Sequence, residues 1–330
     1  MIVVRTPFRV SCFGGGTDYP AYYEEHGGSV LGFAINKYCW ISLRKLPPFF
    51  DYRHRVVYSE IELVKAAKEL RHPVVRAAFM QHAPYGLEMH HDGDLPSRSG
   101  LGSSSSFTVG LLNALHAFKG HMSTKSDLAM EAIHVERDLL KENVGSQDQV
   151  WAAYGGFNQI DFHRDGSFDV SPLLVPSLRR NELNDNLLLF FTGFARNATE
   201  VAGKQLANFP ARQAQLASLK RMVPVARALI ENPREDLLGL GEMLHAGWRL
   251  KRELSDAVST AIIDNIYDGA RAAGATGGKL LGAGGGGFLL LYVPAKFQPA
   301  VRAALHKLVE VPFRIGAEGS RVVLYEPEGL

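Results

Sequence analysis

Residues 96–110 read PSRSGLGSSSSFTVG and run directly into the apolar-periodic stretch LLNALHAF. Four consecutive serines at a helix start are locally costly, because serine hydroxyls compete for backbone hydrogen bonds. Gly100 and Gly102 permit unusual backbone angles, and Ser103 or Ser104 can cap the helix. The N–H groups of the first turn then stay free, and the helix dipole favours an anion there. Small side chains let a phosphate chain lie against the backbone, and hydroxyls can reach phosphate oxygens or a metal bound to them. A cap needs one serine. The run of four therefore predicts a phosphate loop over 100–106, outside the P-loop type.

A second glycine cluster, Gly282 to Gly287, satisfies G-x-G-x-x-G but is followed by FLLLYV, a strand rather than the helix the dinucleotide fingerprint requires. Gly278-Lys279 is followed by Leu280, so the Walker reading fails as well. Five glycines in the six residues 282–287 exceed what a hairpin needs, and close approach of backbone to a ligand is the expectation.

The rest of the chain must position these loops. With 330 residues and 46% hydrophobic content it can bury one large core or two ordinary ones. Thirty-six Lys+Arg against 34 Asp+Glu leave a formal charge of +2, which argues against nucleic-acid binding by bulk electrostatics. Cys12 and Cys39 have neither CxxC nor Cys/His spacing, so a reducing compartment, no structural zinc and two buried thiols are expected. The twelve histidines, His90-His91 included, show no metal-ligand spacing. No signal-peptide apolar region and no run of membrane-span length occur, which predicts a cytoplasmic protein without membrane contact. The oligomeric state, monomer or homodimer, stays open.

VSCF, VLGFAINKYCWISLRKL, RVVYS and GLEMHHDG read as strands, and HPVVRAAFMQHA as a helix with Pro73 near its start. Helices follow over 103–118 and 125–141, a short one after Ser146, then a strand pair around Asp165-Gly166. The polar stretch PSLRRNELNDN, 176–186, marks a boundary between an N-terminal unit, 1–180, and a C-terminal unit, 187–330. In the second unit LLLFFT starts a strand, and 197–273 is helical with breaks near Asn208–Pro210 and Asn232-Pro233. The remainder reads strand, glycine loop, strand, helix and two short strands. Two α+β domains fit this order.

With these motifs in sequence order, the chain resembles the GHMP kinase family, named for galactokinase, homoserine kinase, mevalonate kinase and phosphomevalonate kinase. Its P-x-x-x-G-L-G-S-S motif is matched by Pro96 to Ser104, and its glycine-rich third motif by KLLGAGGGGF at 279–288. Its first motif resembles Pro7-Phe-Arg9 followed by Gly14-Gly15-Gly16-Thr17-Asp18. The resemblance implies an α+β GHMP kinase fold. Its N-terminal domain would be like domain 2 of ribosomal protein S5 and its C-terminal domain ferredoxin-like, with ATP and a sugar bound between them. Within the family, GGGTDYPAYYEEHGGSVLGFAINKY is most similar to the heptose 7-phosphate kinases, which phosphorylate the anomeric hydroxyl of D-glycero-D-manno-heptose 7-phosphate. Galactokinases carry G-E-H-T-D where this chain has G-G-G-T-D.

The resemblance also implies roles. Asp148, in a G-x-x-D segment, would be the base that accepts the proton of the attacking hydroxyl, with Arg9 as the cation beside it. Gly100, Leu101, Gly102, Ser103, Ser104 and Ser105 would hold the ATP phosphates. Ser104 and Glu136 would hold Mg2+, with Ser103 the rival hydroxyl. Gly14, Gly15, Gly16, Thr17, Asp18, Gly284 and Gly285 would contact the sugar, and Arg196 with Lys204 its distal phosphate. Arg53 and Arg55 are further basic candidates. Competing expectations are a kinase for an unphosphorylated sugar, a non-catalytic sensor of ATP and sugar, and an ATP-dependent decarboxylase.

Overall fold

Runs of β-branched and aromatic residues draw Ile2–Phe13 (β1) and Gly28–Lys45 (β2) into a long antiparallel pair joined through helix α1 (Pro20–His26). The computed structural model describes residues 1–83, 86–193 and 198–328. The sheet continues through β3 (His54–Val57), β4 (Ile61–Val64) and β5 (Leu87–Gly93), and only the β3–β5 pairing is parallel among these. Strand β2 is long enough to change partners. Its residues 39–45 pair with β5, and residues 28–33 pair with β6 (Phe157–Phe162), which forms a hairpin with β7 (Phe168–Pro172).

Helices α2 (Pro73–His82), α3 (Ser103–Phe118), α4 (Lys125–Ile133) and α5 (Gln147–Tyr154) belong to this half, with α3 packed on β1 and β2. The expected single helix over 125–141 is two pieces: beyond Ile133 the chain widens into a π-helical stretch, His134–Leu139. That wider turn brings Glu136 to 0% exposure.

The boundary expected at 176–186 is a packed helix, α6 (Ser177–Asn186). Buried Leu183 and Arg179 anchor it, and the Arg179 guanidinium donates to the carbonyls of Leu229 and Ile230. Those carbonyls close the long helix α8, and a terminal cation satisfies them. Strand β8 (Leu187–Phe191) follows, then α7 (Ala198–Asn208), α8 (Gln213–Glu231), α9 (Leu238–Arg252) and α10 (Ala261–Ala272). Strands β9 (Gly277–Leu280) and β10 (Phe288–Tyr292), helix α11 (Gln298–Ala304) and strand β11 (Val309–Glu310) complete an antiparallel sheet ordered β11-β8-β10-β9. The last strand, β12 (Arg321–Tyr325), lies elsewhere: it pairs with β1, Ile2 opposite Tyr325. The 187–330 division therefore needs correction, since the chain's end returns to the first sheet.

Candidate active site

Strand β1, the start of α3 and the first turn of α5 meet at Arg9. This side chain is almost wholly buried, and it bonds to all three elements. Its Nε and Nη2 donate to the two oxygens of Asp148 at 2.8 and 2.7 Å, and its Nη1 donates to the Gly100 carbonyl at 2.6 Å. Its backbone N–H donates to the Leu101 carbonyl at 3.0 Å. A two-pronged guanidinium–carboxylate pair is directional, so Asp148 is held in one orientation against the serine loop. The Asp148 side chain keeps 25% exposure, and its oxygens retain lone pairs able to take a proton.

The four serines do different work. Gly102 precedes α3 in a left-handed conformation, which leaves the first-turn N–H groups without helical partners. Ser103 Oγ accepts from the Arg98 N–H at 3.0 Å. Ser104 is exposed, and its hydroxyl makes no hydrogen bond among the described residues. Ser105 donates to Glu136 Oε2 at 2.8 Å, and Ser106 to the Pro7 carbonyl at 2.8 Å. Ser106 thus fastens α3 to β1 and Ser105 turns to Glu136, which corrects the expectation of one phosphate-facing run.

Asp18 lies behind Asp148. Its Oδ1 accepts from the Gly16 N–H at 3.0 Å, while Oδ2 is buried without a partner among the described residues. Burial first, and the nearby negative charge of Asp148 second, push the Asp18 carboxyl up to about 6. Ser11 Oγ and Gln147 Oε1 are likewise buried and unpartnered. Ser11 and Gln147 flank Gly15, where an added Cβ would meet Ser11 Oγ at 3.6 Å and Gln147 Nε2 at 4.0 Å, while Asp18 Oδ2 faces Gly145, two residues before Gln147. Buried polar atoms ordinarily find partners, so this cluster suits a polyhydroxylated ligand. Ser11 and Gln147 escaped sequence reasoning, although both stand within three residues of motif positions. Thr17 is reassigned: it is fully buried, and its hydroxyl engages Gly14 and Ser29 backbone at 2.8 to 3.1 Å, so it holds the turn rather than a sugar.

The glycine cluster is also corrected. A Cβ on Gly282 would lie 2.4 Å from the Gly100 Cα, and Phe288 N–H donates to the Ser99 carbonyl at 3.1 Å. Gly285 N–H donates to the Val258 carbonyl at 2.9 Å, and Gly284 faces that same carbonyl. These glycines let protein backbones approach each other, joining the third motif to the second. Two buried lysines escaped the sequence reading as site residues. Lys279 Nζ donates to the Cys12 carbonyl at 2.9 Å, and Lys251 Nζ to the carbonyls of Leu280 and Gly282. Burial lowers both, Lys279 to about 8. The signal was a lysine on an apolar stripe: Lys251 continues Leu240, Leu244 and Trp248 along α9.

Glu136 accepts from Ser105, from Thr108 at 2.6 Å and from Gln149 at 2.5 Å. The serine it meets is therefore Ser105, one position beyond Ser104, because helical rotation turns that residue inward. Burial pushes its carboxyl up to about 7. The oxygens suit Mg2+, a hard cation: Oε1 takes one donor, which leaves a lone pair, and burial has left this carboxylate short of positive charge. Arg196 lies outside the described residues. Lys204 is exposed on α7 and bonds Glu200 at 2.8 Å, while its neighbour Gln205 donates to the Ala283 carbonyl of the glycine loop. Arg55 pairs with buried Glu88 at 3.2 Å on the sheet. No helix among the described residues is long and apolar enough to cross a membrane.

Comparison with known proteins agrees with this geometry. The profile of the GHMP kinases N-terminal domain matches residues 62–156, and that of the GHMP kinases C-terminal domain matches residues 225–309. The chain is 30% identical, over 92% of both chains, to the D-glycero-alpha-D-manno-heptose 7-phosphate kinase of Campylobacter jejuni. It is 26% identical to the bifunctional fucokinase/GDP-fucose pyrophosphorylase of Arabidopsis thaliana, over 94% of this chain and 32% of that one. In fold it is similar to a D-glycero-D-manno-heptose 1-phosphate kinase from Bacteroides thetaiotaomicron, with a TM-score of 0.80, 22% identity and 98% of each chain covered.

Proposed function

Because the chain belongs to the GHMP kinases and is a phosphotransferase acting on a sugar hydroxyl, we propose that it transfers the γ-phosphoryl group of ATP to the anomeric hydroxyl of D-glycero-D-manno-heptose 7-phosphate. The product is the 1,7-bisphosphate, a precursor of nucleotide-activated heptose for surface polysaccharide. The observation that carries this reading is the Arg9–Asp148 pair, set between the open N-terminus of α3 and the unpartnered carboxylate oxygen of Asp18.

ATP phosphates lie against the first turn of α3, where free N–H groups, the helix dipole and the exposed Ser104 hydroxyl meet negative charge. Asp18, with Ser11 and Gln147, hydrogen-bonds sugar hydroxyls and fixes the ring. Asp148 takes the proton of the anomeric hydroxyl as its oxygen bonds to the γ-phosphorus, the bond to the β-bridging oxygen breaks, and ADP leaves. Arg9 holds Asp148 in line for that transfer. Mg2+ supplies charge neutralisation at the phosphates when bound, and Glu136 with Ser105 would hold it. The distal phosphate falls to basic residues of the 196–204 region.

The test is ADP release from Mg-ATP with a panel of D-glycero-D-manno-heptose 7-phosphate, mannose, mannose 6-phosphate, galactose and fucose. Turnover with the heptose phosphate alone supports the reading. Turnover with a free sugar, the reading favoured by the fucokinase relative, keeps the kinase and removes the distal-phosphate site. Binding without turnover across the panel makes the protein a sensor.

A further inference from the structure

We propose that His82, His116 and Glu131 form a zinc(II) site where α2, α3 and α4 meet, apart from the phosphoryl-transfer site. The three residues are distant in sequence, so no ligand spacing marks them. Folding places His82 Nε2 2.8 Å from Glu131 Oε1 and His116 Nε2 3.0 Å from Oε2. One ligand atom from each residue lies within 4.8 Å of the others. The side chains are 10%, 13% and 19% exposed, so the cluster is largely buried and keeps some access to solvent.

Two features single out a cation rather than an ordinary ion pair. Among the described residues, His82 Nε2 is buried and makes no well-aligned hydrogen bond, although Glu131 Oε1 is 2.8 Å away. Both imidazoles also turn the same nitrogen toward one carboxylate, and each has a polar group behind it. His116 Nδ1 meets the Ser123 hydroxyl, and His82 Nδ1 lies 3.0 Å from Lys119 Nζ. A metal-bound imidazole donates its other N–H to an outer acceptor; the Ser123 hydroxyl can serve His116 in this way, whereas the Lys119 ammonium only donates and has to leave His82 Nδ1.

Two imidazole nitrogens and one carboxylate oxygen suit zinc over magnesium or calcium, with water completing a tetrahedron. With zinc–ligand bonds of about 2.0–2.2 Å, tetrahedral ligand atoms stand about 3.3–3.6 Å apart, so the close N···O contacts open slightly and any wider pair, within the 4.8 Å limit, draws in. Binding displaces the Nε2 proton, so His82 carries its hydrogen on Nδ1 and Lys119 must turn to solvent. Lys119 is exposed, and its long chain allows this. Zinc would then pin the far end of α3, whose other end carries the phosphate loop.

The test uses the tag-free full chain, stripped with chelator and titrated with zinc chloride by calorimetry. One zinc per chain is expected, with a rise in the thermal unfolding midpoint. His116→Gln and Glu131→Gln should each weaken binding at least tenfold and abolish that rise. Lys119→Ala, which removes a competing cation, should bind zinc at least as tightly as the parent. X-ray absorption should report nitrogen and oxygen ligands without sulfur. Absence of stoichiometric binding by the parent chain overturns the proposal. So does unchanged affinity in both ligand variants, weaker binding by Lys119→Ala, or sulfur in the zinc shell.

Discussion

Asp148 and Asp18 are two neighbouring carboxylates to which the proposed mechanism gives different tasks, and their surroundings separate them. Asp148 is partly exposed and gripped by Arg9, whereas Asp18 is sealed with one oxygen unpartnered. Asp148→Asn keeps the shape but cannot accept a proton. Turnover should fall by roughly 10²–10⁴-fold with ATP affinity nearly intact, as steady-state and equilibrium-binding measurements together would reveal. Asp18 gives a test in stability. Its folded-state carboxyl is raised to about 6, above the ordinary carboxylate value, so the folded state binds its proton more tightly than the unfolded state does. That contribution is fully present below about pH 4 and is lost as pH rises through about 6. Urea midpoints from pH 4 to 7 should show the parent losing stability relative to Asp18→Asn across this window. A constant difference would contradict the burial argument.

At the scale of the element, α3 carries both the proposed phosphate site and its own fastening. Ser106 feeds the Pro7 carbonyl, so Ser106→Ala should cost about 1–3 kcal/mol of stability through an unsatisfied buried acceptor while leaving the KM for ATP unchanged. Ser104 is exposed, so Ser104→Ala should raise the KM for ATP with stability altered by no more than about 0.5 kcal/mol. Denaturation curves and initial rates on the two variants separate these outcomes. The π-helical stretch extends the same logic: it turns Glu136 inward, where Ser105 and Thr108 of α3 and Gln149 of α5 donate to it.

Over the whole molecule, the decisive contact is between the two glycine-bearing loops. Gly282 has φ +71° and no room for a Cβ beside Gly100. Gly282→Ala should therefore lower stability by more than about 1 kcal/mol and raise the KM for ATP, because the serine loop loses its support. A Tm and a KM both equal to the parent's would sink this account. Strand β12 ties the chain's end to β1, the strand that carries Arg9, so the C-terminal segment steadies the first half as well.

The sequence by itself determined the α+β organisation and the family, and it singled out the serine run as the candidate phosphate loop, because strand periodicity, helix starts and contiguous motifs are written in neighbouring residues. It also carried Arg9, Asp148 and Asp18 as candidates, since these stand within motifs. Folding decided what adjacency along the chain cannot encode. Ser105 rather than Ser104 meets Glu136 because the helix turns one of them inward. Thr17 is spent on a turn, and the glycines of 282–287 meet protein. Lys251 and Lys279 are cations sealed near the reacting groups. His82, His116 and Glu131 come from three helices and acquire a shared carboxylate only when those helices pack.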